Sequence, residues 1–171
     1  MIEQIIYRPM ERGDVERILA AEYEKFISSS TQKRYEKFFD EQERGLRTVI
    51  IAELNGELVG RVTLLHSASG VPFKNMNIPE VLGLSVLEKC REQGIGTELM
   101  NRIEEIAANI SDTVCLGVGI CEPDGAAQRL FVKRGYVPDG SGAWYGRQAA
   151  HRAGRIEEIG SLVLYMSKKL R

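Results

Sequence analysis

The chain has 171 residues, with 23 Lys and Arg against 24 Asp and Glu, a net charge of −1, 43% hydrophobic residues and 27% charged ones. That length and mixture fit one soluble domain, residues 1–171, with a sizeable core. A near-zero net charge provides no long-range field for nucleic acid or an anionic membrane. No apolar run approaches the ~20 residues of a membrane span, and the amino terminus lacks a charged-then-apolar leader pattern, so the expectation is a cytoplasmic location.

Ile2 to Tyr7 read as a first strand. Asp14 is a plausible N-cap for a helix in which Val15, Ile18, Leu19 and Tyr23 recur at helical spacing. Ser28-Ser29-Ser30 breaks that pattern, Thr31 can cap a second helix, and Tyr35, Phe38 and Phe39 form its stripe before Gly45. Thr48 to Leu54 and Glu57 to Leu65 flank Asn55-Gly56, a two-residue hairpin signal, because both residues tolerate positive φ. Residues 66–79 read as a polar loop, and a fourth strand spans about Glu80 to Leu87. A third helix runs to about Ile110, burying Ile95, Leu99, Ile103, Ile106 and Ala107 while Glu98, Arg102 and Glu105 face water.

In the fifth strand Val114, Leu116, Val118 and Ile120 share one face, and Cys115, Gly117, Gly119 and Cys121 share the other. Two glycines on one face leave it nearly bare, which calls for a ligand or for close packing by a neighbouring helix. After Gly135 comes a turn-rich link, Tyr136-Val137-Pro138-Asp139-Gly140-Ser141-Gly142, and then a loop made basic by Arg147, His151, Arg152 and Arg155. That loop is a solvated connection or a contact for an anion. Ser161 to Lys168 alternates as a last strand.

Chemistry concentrates where the fourth strand meets the third helix. Arg91-Glu92-Gln93-Gly94-Ile95-Gly96-Thr97 places two glycines at a helix opening. The first N–H groups of a helix have no internal partner, and its dipole is positive there, so the backbone from Gln93 to Thr97 can hold a pyrophosphate. Two other glycine-loop patterns fail. A dinucleotide fingerprint needs Gly or Ala where Leu99 stands, and a P-loop needs Gly-Lys-Ser/Thr.

Arg-x-x-Gly-x-Gly after a strand resembles the acetyl-CoA pyrophosphate loop of the GNAT superfamily of N-acyltransferases. A second segment agrees. The strand 114–120 leads into Asp124-Gly-Ala-Ala127-Gln-Arg-Leu130-Phe131-Val-Lys-Arg-Gly135-Tyr136, similar to the family's Asn-x-x-Ala-x-x-Leu-Tyr-x-x-x-Gly-Phe, with Asp124 for Asn and Phe131 for Tyr. The resemblance implies an α/β fold with a mixed, mostly antiparallel sheet of six to seven strands and about four flanking helices. It implies acetyl-CoA as cosubstrate, an amine acceptor as the second partner, and a pantetheine arm between strands four and five that bonds the backbone of Leu84, Ser85 and Val86. Arg91, Glu92, Gln93, Gly94, Ile95, Gly96 and Thr97 would then hold the pyrophosphate. Asp124 could contact the arm or simply cap its helix, and Phe131 sits where the family often has a tyrosine that protonates the departing thiolate.

Attack of an amine on a thioester first needs a proton removed from an ammonium of pKa about 10.4. A carboxylate can accept it as a general base. Glu80, fourteen residues before Gly94, has a spacing similar to the glutamate base of histone-type members, against a plain solvent-facing strand start. Glu122 is second. A backbone N–H near Leu84 to Val86 would polarise the thioester oxygen. Tyr23, Tyr35, Phe38, Phe39, His66 and Trp144 are candidates to line the acceptor pocket or simply to fill the core.

Cys90, Cys115 and Cys121 form no CxxC pair, and His66 and His151 lie far apart, so no metal is expected. Cys115 and Cys121 read as buried small residues, and Cys90, in the loop, as exposed. The function expected is transfer of acetyl from acetyl-CoA to a primary amine of a small molecule or peptide. The alternative is a module that binds or senses acyl-CoA without turnover. A homodimer stays open.

Overall fold

The computed structural model describes residues 4–22, 29–145, 148–150 and 162–171. The readings made on Ile2, Tyr23, Arg147, His151, Arg152, Arg155 and Ser161 lie outside them. The fold is mixed α/β, with eight strands and four α-helices among the described residues. The chain divides into two compact units, residues 1–66 with 82–106, and residues 67–81 with 107–171.

In the first unit β1 (Ile5–Pro9), β2 (Arg47–Leu54) and β3 (Glu57–Leu65) pair antiparallel in that order. β4 (Glu80–Val86) follows β3 in the strand order and passes from the second unit into the first. The β2–β3 turn is the expected one, with Asn55 at φ 51° and Gly56 at φ 82°, the pair of positive angles that matches the strands' own twist. Helices α1 (Asp14–Glu22) and α2 (Ser29–Glu43) bury Val15, Ile18, Leu19, Tyr35 and Phe39 against Val49, Ile51 and Leu58. Asp14 does not cap α1 in the expected way. Its carboxylate reaches back to accept the Glu11 N–H at 2.8 Å, as the acidic third residue of a capping box does. α3 (Ile95–Ala108) buries Ile95, Leu99 and Ile103 as its stripe predicts, and ends two residues early, leaving Ile110 exposed.

In the second unit the order is β4, β5 (Thr113–Gly119), β8 (Leu162–Lys169), β6 (Val137–Tyr145), β7 (Gln148–Ala149). β4 pairs with β5 in parallel, Glu80 opposite Cys115 and Val81 opposite Leu116. The helix α4 is Gly125–Lys133. Eight strands stand where six to seven were expected, because the turn-rich link after Gly135 is itself a strand. Val137 and Pro138 pair with Ser167 and Met166, and pairing resumes at Ala143 with Leu164. Gly140 (φ 88°) and Gly142 (φ 80°) let the residues between bulge out and the ladder continue. The fifth strand stops at Gly119, so Ile120 is exposed and does not join the buried face.

Candidate functional site

In the first unit the segment Arg91–Thr97 follows β4 through a short 3-10 turn, Glu88–Cys90. Glu92 takes φ 62° and Gly94 φ 82°, and the Gly94 carbonyl accepts the first helical bond from the Glu98 N–H at 3.0 Å. Gly94 is therefore the cap residue of α3, and a methyl group there would meet nothing within 4 Å. The amides of Ile95, Gly96 and Thr97 lie in the first turn, where no intrahelical carbonyl can reach them. The helix opening thus presents donors and a positive dipole end across a bare, exposed glycine. Arg91 is exposed, and its Nε donates to the Val86 carbonyl at 3.2 Å, tying the loop to the end of β4. Cys90 is buried, against the expectation of exposure, because the 3-10 turn folds its side chain inward.

Leu84, Ser85 and Val86 are half-buried. Three consecutive β3 residues hold this part of β4 in three different ways. The Val59 carbonyl accepts the Leu87 N–H at 2.9 Å. Gly60 leaves room for the Ser85 carbonyl, which would lie 3.0 Å from a methyl group on it. The Arg61 Nη1 donates to the Gly83 carbonyl at 3.2 Å. Gly83, at φ 57°, is a left-handed residue inside a strand. Sequence reasoning passed over Gly83 and Arg61. A glycine in a strand interior is the usual sign of a bulge and was the available signal.

In the second unit Glu80 is 7% exposed, which removes the solvent-facing reading. It begins β4 opposite Cys115, and its charge is felt by Cys115 and by Tyr165 of β8. Burial first, then the Glu80 carboxylate, pushes the Cys115 thiol far above its ordinary range. The Tyr165 hydroxyl is raised by burial, then by Glu80 and Cys115, and so stays protonated at neutral pH. Tyr165 also meets Phe73 and Trp144 edge to face, with ring centroids 6.0 and 6.2 Å apart.

The glycine face of β5 is not bare. A methyl group on Gly117 would lie 2.7 Å from Val163 Cγ1 and 3.1 Å from Tyr165 Cε1, and one on Gly119 would overlap the Asp124 carboxylate. Side chains of β8 and the turn before α4 fill this space, in place of the ligand or the packed helix that the two glycines suggested. Asp124 makes no side-chain cap to α4, and its Oδ2 accepts the Cys121 N–H at 3.1 Å. Glu122 lies in the 3-10 turn Glu122–Asp124, with its side chain outside the described residues. Phe131 is 5% exposed and stacks edge to face on Tyr136 at 5.8 Å.

Of the acceptor-pocket candidates, Tyr35 and Phe39 belong to the core and Phe38 packs against it. His66 Nε2 shares a 2.8 Å hydrogen bond with Thr48 Oγ1, and Trp144 Nε1 donates to Ser141 Oγ at 2.7 Å. Among the described residues no group of three or more His, Cys, Asp or Glu could hold a metal ion, and no helix is long and apolar enough to cross a membrane.

The family model described as the acetyltransferase (GNAT) family matches residues 14–136. Similar solved structures include an N-acetyltransferase from Staphylococcus aureus, at TM-score 0.73 and 17% identity over 98% of this chain and 99% of that one. A ribosomal-protein-alanine N-acetyltransferase from Brucella melitensis is similar at TM-score 0.68 and 20% identity, over 96% and 99% of the two chains. An acetyltransferase from Salmonella typhimurium, described with its cofactor acetyl-CoA, gives TM-score 0.67 and 17% identity over 98% and 94%. No curated protein sequence matches significantly. With the family model covering most of its length, and the loop, strand and helix order in place, this chain belongs to the acetyltransferase (GNAT) family.

Proposed function

We propose that the protein transfers acetyl from acetyl-CoA to a primary amine of a small molecule or peptide by direct attack, with no covalent enzyme intermediate. The observation that carries this reading is the opening of α3, an exposed glycine cap followed by first-turn amides, tied to β4 through Arg91. It is built for a pyrophosphate. The structural neighbour from Salmonella typhimurium is described with acetyl-CoA, which supports the same cosubstrate here. The family match runs through residues of both compact units, which supports reading 1–171 as one domain.

Arg91 to Thr97 would hold the pyrophosphate, and the Leu84, Ser85 and Val86 backbone would bond the pantetheine arm and polarise the thioester oxygen. Glu80 takes a proton from the acceptor's ammonium, directly or through water, so that the neutral amine attacks, with Glu122 as the second candidate for this role. As the amine nitrogen bonds the acetyl carbon, the carbon–sulfur bond breaks and the thiolate leaves. Phe131 has no proton to give it. A thiol of pKa about 8.5 is a tolerable leaving group unaided, and water or another tyrosine can supply a proton. Covalent catalysis through Cys115 is disfavoured by its burial and raised pKa. Nothing in the composition calls for a metal, a membrane or nucleic acid, and a cytoplasmic location goes with that reading.

A second reading, an acyl-CoA-binding or sensing module without turnover, draws on the burial of Phe131 against Tyr136. Free-thiol release from acetyl-CoA separates the two. The panel comprises polyamines, amino acids, aminoglycosides, arylamines and Lys- or amino-terminal peptides, with a no-acceptor blank. Amine-dependent release is expected. Silence across the panel from protein that binds acetyl-CoA would favour the sensing module.

A further inference from the structure

We infer that Arg61 is a positioning residue for the thioester, acting through the peptide group between Gly83 and Leu84. The inference rests on the reading that the β4 backbone polarises the thioester oxygen. The Gly83 carbonyl and the Leu84 N–H belong to one planar trans peptide, so they point in opposite directions, and anything that anchors the carbonyl aims the N–H. Arg61 Nη1 anchors that carbonyl at 3.2 Å. The bond is charge-assisted, and a donor on the carbonyl makes the N–H of the same peptide a stronger donor. Arg61 thus both orients the Leu84 N–H and strengthens it where negative charge develops.

The anchor is itself fixed. Arg61 Nη2 donates to the Tyr35 hydroxyl at 2.9 Å, and the guanidinium carbon stands 5.3 Å from the Tyr35 ring centroid. Tyr35 is 1% exposed in the core of α2, so the fork is held from a rigid element. The strand is shaped to receive it. Gly83 holds φ 57° within β4, and a methyl group there would lie 2.8 Å from Arg61 Nη1. Glycine takes this left-handed conformation without strain, so the strand can turn at this point.

The test uses Arg61→Met, Arg61→Lys and Tyr35→Phe, with two readouts. One is kcat for amine-dependent thiol release beside the Kd for CoA. The other is the carbonyl stretch of bound acetyl-CoA carrying 13C at the acetyl carbon, in the absence of amine. Arg61→Met is expected to lose at least ~10-fold in kcat with the Kd for CoA within ~3-fold, and to lose the red shift of the bound thioester. Arg61→Lys should recover part of both, and Tyr35→Phe should lose ~3-fold in kcat. A merely structural role would not move the carbonyl stretch. Unchanged kcat and an unchanged stretch in folded Arg61→Met would overturn the inference, and if that variant does not fold, the same pattern in Arg61→Lys and Tyr35→Phe decides. A wild-type protein that binds acetyl-CoA with a shifted carbonyl but releases no thiol would overturn the transferase reading and leave the role of Arg61 standing. Failure to bind acetyl-CoA would overturn both.

Discussion

The Asp124 carboxylate occupies the space that a side chain on Gly119 would need. Its Oδ2 accepts the Cys121 N–H at 3.1 Å, while the Gly119 carbonyl accepts from Gln128 Nε2 at 2.7 Å, so the turn into α4 is folded back on the end of β5. Gly119→Ala is therefore expected to destabilise the fold by about 1–3 kcal/mol through overpacking. Asp124→Ala in the same chain should recover most of that loss. Urea unfolding of the two single variants and the double variant measures the coupling.

Glu80→Gln keeps the size of the side chain and removes its capacity to take a proton. Acetyl transfer should fall by ~10²-fold or more, with the affinity for acetyl-CoA retained. Steady-state kinetics beside calorimetric binding checks this, and unchanged turnover would remove Glu80 from the mechanism.

At the opening of α3, Gly94 holds φ 82°, a conformation that costs an alanine about 1–2 kcal/mol. Gly94→Ala is expected to lose about that much stability and to weaken acetyl-CoA binding ~10-fold, since relief of the strain moves the first-turn amides. Equal affinity in titration calorimetry would place the pyrophosphate elsewhere.

Cys115 is 0% exposed, with its thiol raised by burial and by Glu80, and Cys90 is buried as well. Cys121 alone of the three is partly exposed. Brief iodoacetamide treatment of the folded protein should label Cys121, with Cys90 and Cys115 reacting only on unfolding. Peptide mass spectrometry reads the outcome.

Burial by itself would raise the Asp14 carboxyl, but Arg8, the Glu11 N–H and Arg17 more than offset it and hold the group below its ordinary value. Arg8 binds it with both nitrogens, Nη1 to Oδ2 at 2.6 Å and Nη2 to Oδ1 at 2.9 Å. A carboxyl whose pKa is lower folded than unfolded contributes stability that is present above the unfolded value, about 3.9, and is lost as pH falls through the folded value. Urea melts between pH 6 and 2.5 should show stability falling below about pH 4, with a shallower acid limb in Asp14→Asn.

The periodic parts of the sequence were legible because local physics decides them. Asn55-Gly56 closes a hairpin whatever surrounds it, and the α3 stripe buries itself on any sheet. The segment 137–145 was not, since Gly140 and Gly142 mark a turn locally and only pairing with β8 turns them into a bulge. The same limit governs the site. Two glycines before a helix announce the helix opening that Gly94 caps, whereas the filling of the Gly117 and Gly119 face by Val163, Tyr165 and Asp124 depends on side chains up to 48 positions away in β8. Arg61 was invisible for the same reason, because its meaning lies in a carbonyl 22 residues downstream.

The strand order begins with β1, five residues ending in Pro9, and finishes with β7, two residues long. Each offers another chain only a short ledge of backbone donors and acceptors, and Pro9 brings no N–H to its own. Stacking copies by continuing the ladder along these described edge strands would gain few bonds at either rim.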